Sequence, residues 1–182
     1  MFTLKEIHLE AITDEELMQQ VADGNLDQLK VLFERHQAHV FNFLHKMTGD
    51  TMLSEDLTQD VFYKIMKYRT TYAQGRFMGW MFTIARNSLK THYRRNNELH
   101  DSLDEKNEKL LNAQIEEPEV YSQLQMALQK LKATDRELLI LNRLQEIKYN
   151  ELAEIMGSTP GAVKTQVCRA LKKLKIIYFE NN

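Results

Sequence analysis

Cysteine is almost absent from this chain: Cys168 is its single thiol. No disulfide can form within it, and a reducing cytoplasm is its expected setting. Proline (two) and glycine (six) are scarce in 182 residues, which leaves few of the breaks that punctuate turn-rich folds. No stretch approaches the roughly 18 unbroken apolar residues needed to cross a bilayer. The opening MFTLKEIHLEAITDEEL also lacks the basic start and apolar run of a secretion signal. No nucleophile motif or phosphate-cradling glycine loop is present, so no enzymatic activity and no cofactor is expected. His36, His39 and His45 share a helical stretch without a matching carboxylate motif; packing roles are expected for them, and no metal. What the chain has is Leu, Gln, Glu and Lys with 43% hydrophobic residues, the profile of an all-α protein.

Charge divides the sequence into three parts. Residues 1–98 hold 12 basic and 13 acidic side chains, a balance of −1. Residues 99–119 hold two and seven, for −5, and end beside Pro118 without a sustained apolar period. Residues 120–182 hold ten and six, for +4. Two small helical domains, 1–98 and 120–182, joined by an acidic linker at 99–119, are therefore expected.

Within the first part, helices are expected at Asp14–Asp23, closed by Gly24, and at Leu26–Met47, broken by Thr48-Gly49-Asp50. The second turns Leu29, Leu32, Phe33, Val40, Phe41 and Leu44 inward. A third is expected from Ser54, as its cap, to Tyr68, with Leu57, Val61, Ile65 and Met66 buried. Its exposed side carries Glu55, Asp56, Gln59 and Asp60, an acidic and amide-rich face that repels DNA and suits a basic protein partner. A loop, Arg69 to Gly75, leads to a fourth helix from Phe77 to Arg95.

That fourth helix mixes aromatics and cations. Phe77, Trp80, Met81, Ile84 and Leu89 form a core stripe, while Asn87, Lys90, Arg94 and Arg95 lie on other faces. Tyr68, Arg69, Tyr72 and Arg76 precede or open it. Aromatics alternating with cations offer stacking platforms and phosphate contacts for unpaired bases.

The stretch Tyr149–Lys173, YNELAEIMGSTPGAVKTQVCRALKK, predicts two helices around a tight turn. Gly157 reaches positive φ cheaply and ends the first, Ser158 or Thr159 caps the second, and Pro160 suits its first turn. Val163, Val167, Ala170, Leu171 and Leu174 share one side of the second helix. Lys164, Thr165, Cys168, Arg169 and Lys172 share the other, a cationic, hydroxyl-bearing face suited to a DNA major groove. A two-domain response-type regulator could carry the same hairpin, but residues 1–98 show no alternating strand pattern for the α/β domain that would sense its ligand or phosphoryl group. A helical scaffold that binds only protein is a further reading of the same hairpin.

SEDLTQDVFYKIMKY (54–68), FMGWMFTIARNSLKTHYRR (77–95) and the C-terminal hairpin, in that order, resemble the signature blocks of bacterial sigma factors of the extracytoplasmic-function group. The resemblance runs from Asp14 to Leu174. It implies binding to core RNA polymerase, with Asp56, Gln59 and Asp60 on the β′ clamp coiled coil. It implies strand capture at the minus-10 element by Arg69, Tyr72, Arg76 and Asn87, with Arg94 and Arg95 gripping the backbone. It implies docking of the last domain on the β flap, and minus-35 recognition by Lys164, Thr165, Cys168 and Arg169 beside Lys172. It also implies an anti-sigma partner, and a linker that threads toward the RNA exit channel. Ala162 departs from the threonine usual at its position.

Overall fold

The computed structural model describes residues 12–73, 75–100 and 119–180. The acidic linker expected at 99–119 falls, apart from its ends, outside them. The helices are α1 (Asp14–Ala22), α2 (Asp27–Thr48), α3 (Thr51–Lys67), α4 (Phe77–His100), α5 (Glu119–Gln129), α6 (Ala133–Leu139), α7 (Tyr149–Met156) and α8 (Pro160–Glu180). A 3₁₀ turn, Arg69–Thr71, follows α3, and a π turn, Ile140–Leu144, extends α6. No strand occurs among the described residues.

The front half is a four-helix packing of α1 to α4. Thr13 and Glu16 form a reciprocal capping box at the start of α1. The third helix starts one turn earlier than expected. Asp50 caps it, accepting from the Leu53 amide at 3.0 Å, and Ser54 is buried inside the helix instead of capping it. An extended Asp followed by three residues that can be helical competes successfully with a serine cap further along.

Phe43, Phe77 and Phe82 are wholly buried; fully burying such a side chain contributes about 1.5–3 kcal/mol. Phe41, expected inward, is half-buried, because Phe43 and Leu44 take the interior of α2.

In the rear half, Gly157 adopts φ 62° after α7, and the Thr159 hydroxyl accepts from the Ala162 amide at 3.3 Å. Val163, Val167 and Ala170 are buried on α8. Leu171, expected inward, is exposed.

The two halves pack on one another, chiefly α4 against α7 and the end of α2 against α5 and α6. Gln125 and Gln129 each donate to the carbonyl of Lys46 near the C-terminal end of α2. His39 Nδ1 lies 2.8 Å from Gln145 Oε1.

Candidate functional site

Three surfaces carry the residues singled out by sequence. On α3, Glu55, Asp56 and Gln59 are exposed. Asp60 is on the edge of this face and is already neutralised: its carboxylate lies 2.6 Å from the Lys64 ammonium, which also donates to Ser88 on α4 at 2.8 Å. Beside Glu55 and Gln59, a groove of about 400 Å³ opens between α2 and α3, walled by Phe33, Gln37, Phe41 and Thr58. Met52 and Tyr63 are 77% and 56% exposed on the same helix. Apolar side chains flanking acids on an open face suit a protein partner, and Met52 and Tyr63 were not among the residues expected there. The available signal was the spacing Met52–Glu55–Gln59–Tyr63, which keeps to one helical side.

The second surface is the Arg69–Gly75 segment with α4. Tyr72 departs from its expected role as a stacking platform. It is buried, its ring meets Trp80 edge-on at 5.2 Å, and its hydroxyl donates to the Gly75 carbonyl. Burial, with Glu15 and Asp14 adding to it, pushes the phenol up to about 12. Tyr68 is the exposed ring of this segment, with the Lys67 ammonium 5.6 Å from its centre. Arg69 is turned back, donating to the Met66 carbonyl at 3.0 Å. Asn87, Lys90, Arg94 and Arg95 are exposed, and the spacing of Asn87, Lys90 and Arg94 aligns them along one side of α4.

The third surface is α8. Lys164, Thr165, Cys168, Arg169 and Lys172 are all exposed, opposite the buried Val163, Val167 and Ala170. The Thr165 hydroxyl donates to the Gly161 carbonyl at 3.0 Å.

The histidines have packing or bridging partners. His36 is buried, with Nε2 2.7 Å from Asp14 Oδ2 and its ring 5.3 Å from that of Phe77. Among the described residues, no cluster of three or more His, Cys, Asp or Glu could hold a metal, and no helix is long and apolar enough to cross a membrane.

Arg86, between the α4 core stripe and the exposed cations, faces the rear half. It donates to Glu137 Oε1 at 2.7 Å and to the Ile155 carbonyl at 3.0 Å, with both ion-pair partners largely buried. Two turns earlier, Gly79 is buried against Glu151. A Cβ built on Gly79 would lie 3.1 Å from both Cγ and Oε1 of that glutamate. Glu151 is 3.9 Å from Arg76, and burial raises its carboxyl above the ordinary range.

Residues 32–98 match the family Sigma-70 region 2, and residues 121–174 match Sigma-70, region 4. The chain is 30% identical to the RNA polymerase sigma factor YlaC of Bacillus subtilis (strain 168), over 82% of this chain and 91% of that one. It is 29% identical to the RNA polymerase sigma factor CarQ of Myxococcus xanthus, over 87% and 93%. In fold it resembles CnrH, solved in complex with the cytosolic domain of CnrY, with a TM-score of 0.74 at 21% identity, covering 93% of this chain and 99% of that one. The sigma factor RpoE of Bartonella quintana, solved with the anti-sigma factor NepR, has a TM-score of 0.69 at 24% identity, covering 81% and 94%.

Proposed function

The chain belongs to the extracytoplasmic-function group of the sigma-70 family, and we propose a division of labour between its two halves that follows from their surfaces. As a sigma factor it binds core RNA polymerase and directs promoter-specific initiation of transcription. The acidic face of α3, with Asp56 and Gln59 at its centre, docks on the β′ clamp coiled coil. Asn87, Lys90, Arg94 and Arg95 line the path of the non-template strand at the minus-10 element, with Arg69, Tyr72 and Arg76 shaping the loop that receives a flipped base. Lys164, Thr165, Cys168, Arg169 and Lys172 read the minus-35 duplex, while the rest of that domain docks on the β flap. Unpaired bases gain contacts that duplex bases cannot make, so binding energy opens the strands and the polymerase supplies the chemistry.

The observation that carries this reading is α8, where the five candidates are exposed opposite the buried Val163, Val167 and Ala170. CnrH and RpoE were each solved with a second protein, CnrY and the anti-sigma factor NepR. By analogy, an anti-sigma protein covers the α2–α3 groove here and holds the factor inactive in the cytoplasm. Run-off transcription with core polymerase tests the reading: promoter-selective transcripts are expected only when the chain is added. Transcripts that are equal with and without it would overturn it.

A further inference from the structure

We propose that Glu15 is a positioning residue for capture of the minus-10 strand: it caps α4 from α1 and fixes the peptide that carries Arg76. The proposal rests on the reading above, which places Arg76 and the Arg69–Gly75 segment on that strand.

The first amides of a helix have no partner within it. At the start of α4 the Phe77 amide donates at 3.1 Å to Oε1 of Glu15, 62 positions earlier and on another helix. The Arg76 carbonyl, in the same peptide plane, accepts from the Trp80 amide at 3.2 Å. The plane joining Arg76 to Phe77 is therefore held at both of its polar atoms, one by α4 itself and one by α1. A carboxylate at a helix N-terminus also meets the positive end of the helix dipole.

The neighbours of Glu15 set its aim. Asp14 binds Arg35 and His36 of α2, each at 2.7 Å, and Glu16 closes the capping box with Thr13. Between these two occupied acids, Glu15 turns toward the loop. With Glu16, Gln19, Tyr72 and Gly75 it walls a pocket of about 260 Å³ between α1 and the loop. Asp14 and Glu15 address one residue of α4 from two sides. Asp14 does so through His36, whose ring lies 5.3 Å from that of Phe77, and Glu15 does so through the amide. Tyr72 completes the frame, with its ring on Trp80 and its hydroxyl on the Gly75 carbonyl.

A hold on the backbone suits this place because the Arg76 side chain is exposed. A long exposed side chain loses rotamer freedom when it grips a strand, and a fixed backbone leaves less to be ordered. Glu15 is itself exposed, so its loss leaves the core in place and weakens the strand contacts of Arg76 and its loop.

The test has two parts. Hydrogen exchange of the free full chain, followed by NMR, reports the cap. The Phe77 amide is expected to exchange about fivefold faster in Glu15→Ala, with the Leu53 amide, which Asp50 holds, unchanged. Glu15→Gln removes the charge but keeps an acceptor oxygen, and is expected to stay within about twofold of wild type. Binding by the complex with core polymerase reports the positioning. The probes are a labelled non-template single strand spanning minus-10 and a minus-35 duplex, both from a promoter selected in the run-off assay. Glu15→Ala is expected to bind the single strand about fivefold more weakly, Glu15→Gln within about twofold of wild type, and both to match wild type on the duplex. An unchanged Phe77 amide overturns the cap. A faster amide with unchanged or tighter single-strand binding, equal losses on both DNAs, or a glutamine variant as weak as alanine overturns the positioning role. If the wild-type chain fails in run-off transcription while the exchange result holds, the promoter reading falls and the positioning role with it, and the cap stands.

Discussion

Arg136, near the start of α6, donates to the carbonyl of Met47 at 2.7 Å, so that a rear-half cation closes the C-terminal turn of α2. The same guanidinium donates to the carbonyls of Leu128, Gln129 and Leu131 at 2.8, 2.6 and 3.2 Å. The last carbonyls of a helix have no partner within it and gather negative potential. One planar fork of donors therefore serves the ends of two helices, α2 and α5, and ties the halves together.

Arg136→Ala should destabilise the chain by about 2–4 kcal/mol, because several carbonyls lose a charged donor together. Arg136→Lys should recover less than half of that loss, since an ammonium cannot reproduce the fork. Urea denaturation followed by circular dichroism measures both. An alanine variant within 0.5 kcal/mol of wild type, about the effect of an ordinary surface change, would refute the role.

Asp14 gives a pH dependence of known sign. Burial alone would raise its carboxyl, but hydrogen bonds and charge from His36 and Arg35 outweigh that and hold it below the ordinary value. A carboxyl with a depressed folded pKa adds stability above its unfolded pKa, and that stability is lost as pH falls through the folded one. Asp14→Asn should therefore cost most near neutral pH, on the order of 1–2 kcal/mol for charge-assisted hydrogen bonds at a partly exposed site. The gap to wild type should close as pH falls through the carboxylate range. Denaturation midpoints at pH 7 and pH 3 decide it, and a constant gap would count against the assignment.

How much of this was legible in the sequence depended on whether one helix or several decided the outcome. The two faces of α8 follow from period alone, and every candidate on its polar face is exposed. Its inward stripe runs through Val163, Val167 and Ala170 to the partly buried Leu174 and Ile177, and Leu171, one position beyond Ala170, falls to the side of that stripe and is exposed. Phe41 and Phe43 could not be ranked, since α2 meets α3 on one side and the rear half on another. Ser54 and Asp50 were competing caps within one turn. Tyr72 read as a platform because aromatics beside cations look alike whether they stack on bases or pack on Trp80. Gly79 gave no local signal of the neighbour it meets, since a Cβ there would lie 3.1 Å from the Glu151 side chain, 72 residues away in the chain. Contacts such as Arg86–Glu137 join residues 51 apart in the chain and leave no local pattern.

The acidic face of α3 should not be uniform toward polymerase. Asp56 is exposed, whereas Asp60 is engaged by Lys64 at 2.6 Å. Asp56→Ala is expected to weaken binding to core polymerase by about 1–3 kcal/mol, the range for a charged residue in an interface. Asp60→Ala should cost less than about 0.5 kcal/mol in binding and act instead on the α3–α4 contact through Lys64 and Ser88. Titration of labelled chain with core enzyme separates the two, and equal losses would mean that Lys64 releases Asp60 on docking.

On α8, base contacts and phosphate contacts should separate by their dependence on salt. Arg169 lies mid-helix on the exposed face, whereas Lys164 lies one turn from the N-terminus, beside the Thr159 cap. The N-terminal part of a recognition helix approaches base edges most closely, so Lys164→Ala is expected to cost about 1–3 kcal/mol on a cognate minus-35 duplex and little on a scrambled one. Arg169→Ala is expected to weaken both duplexes alike and to lower the slope of log affinity against log salt by about 1, the mark of one lost phosphate contact. Binding of the polymerase complex to the two duplexes between 50 and 200 mM salt gives both numbers. If the two variants exchange these signatures, the helix enters the groove farther along its length than the position of its cap implies.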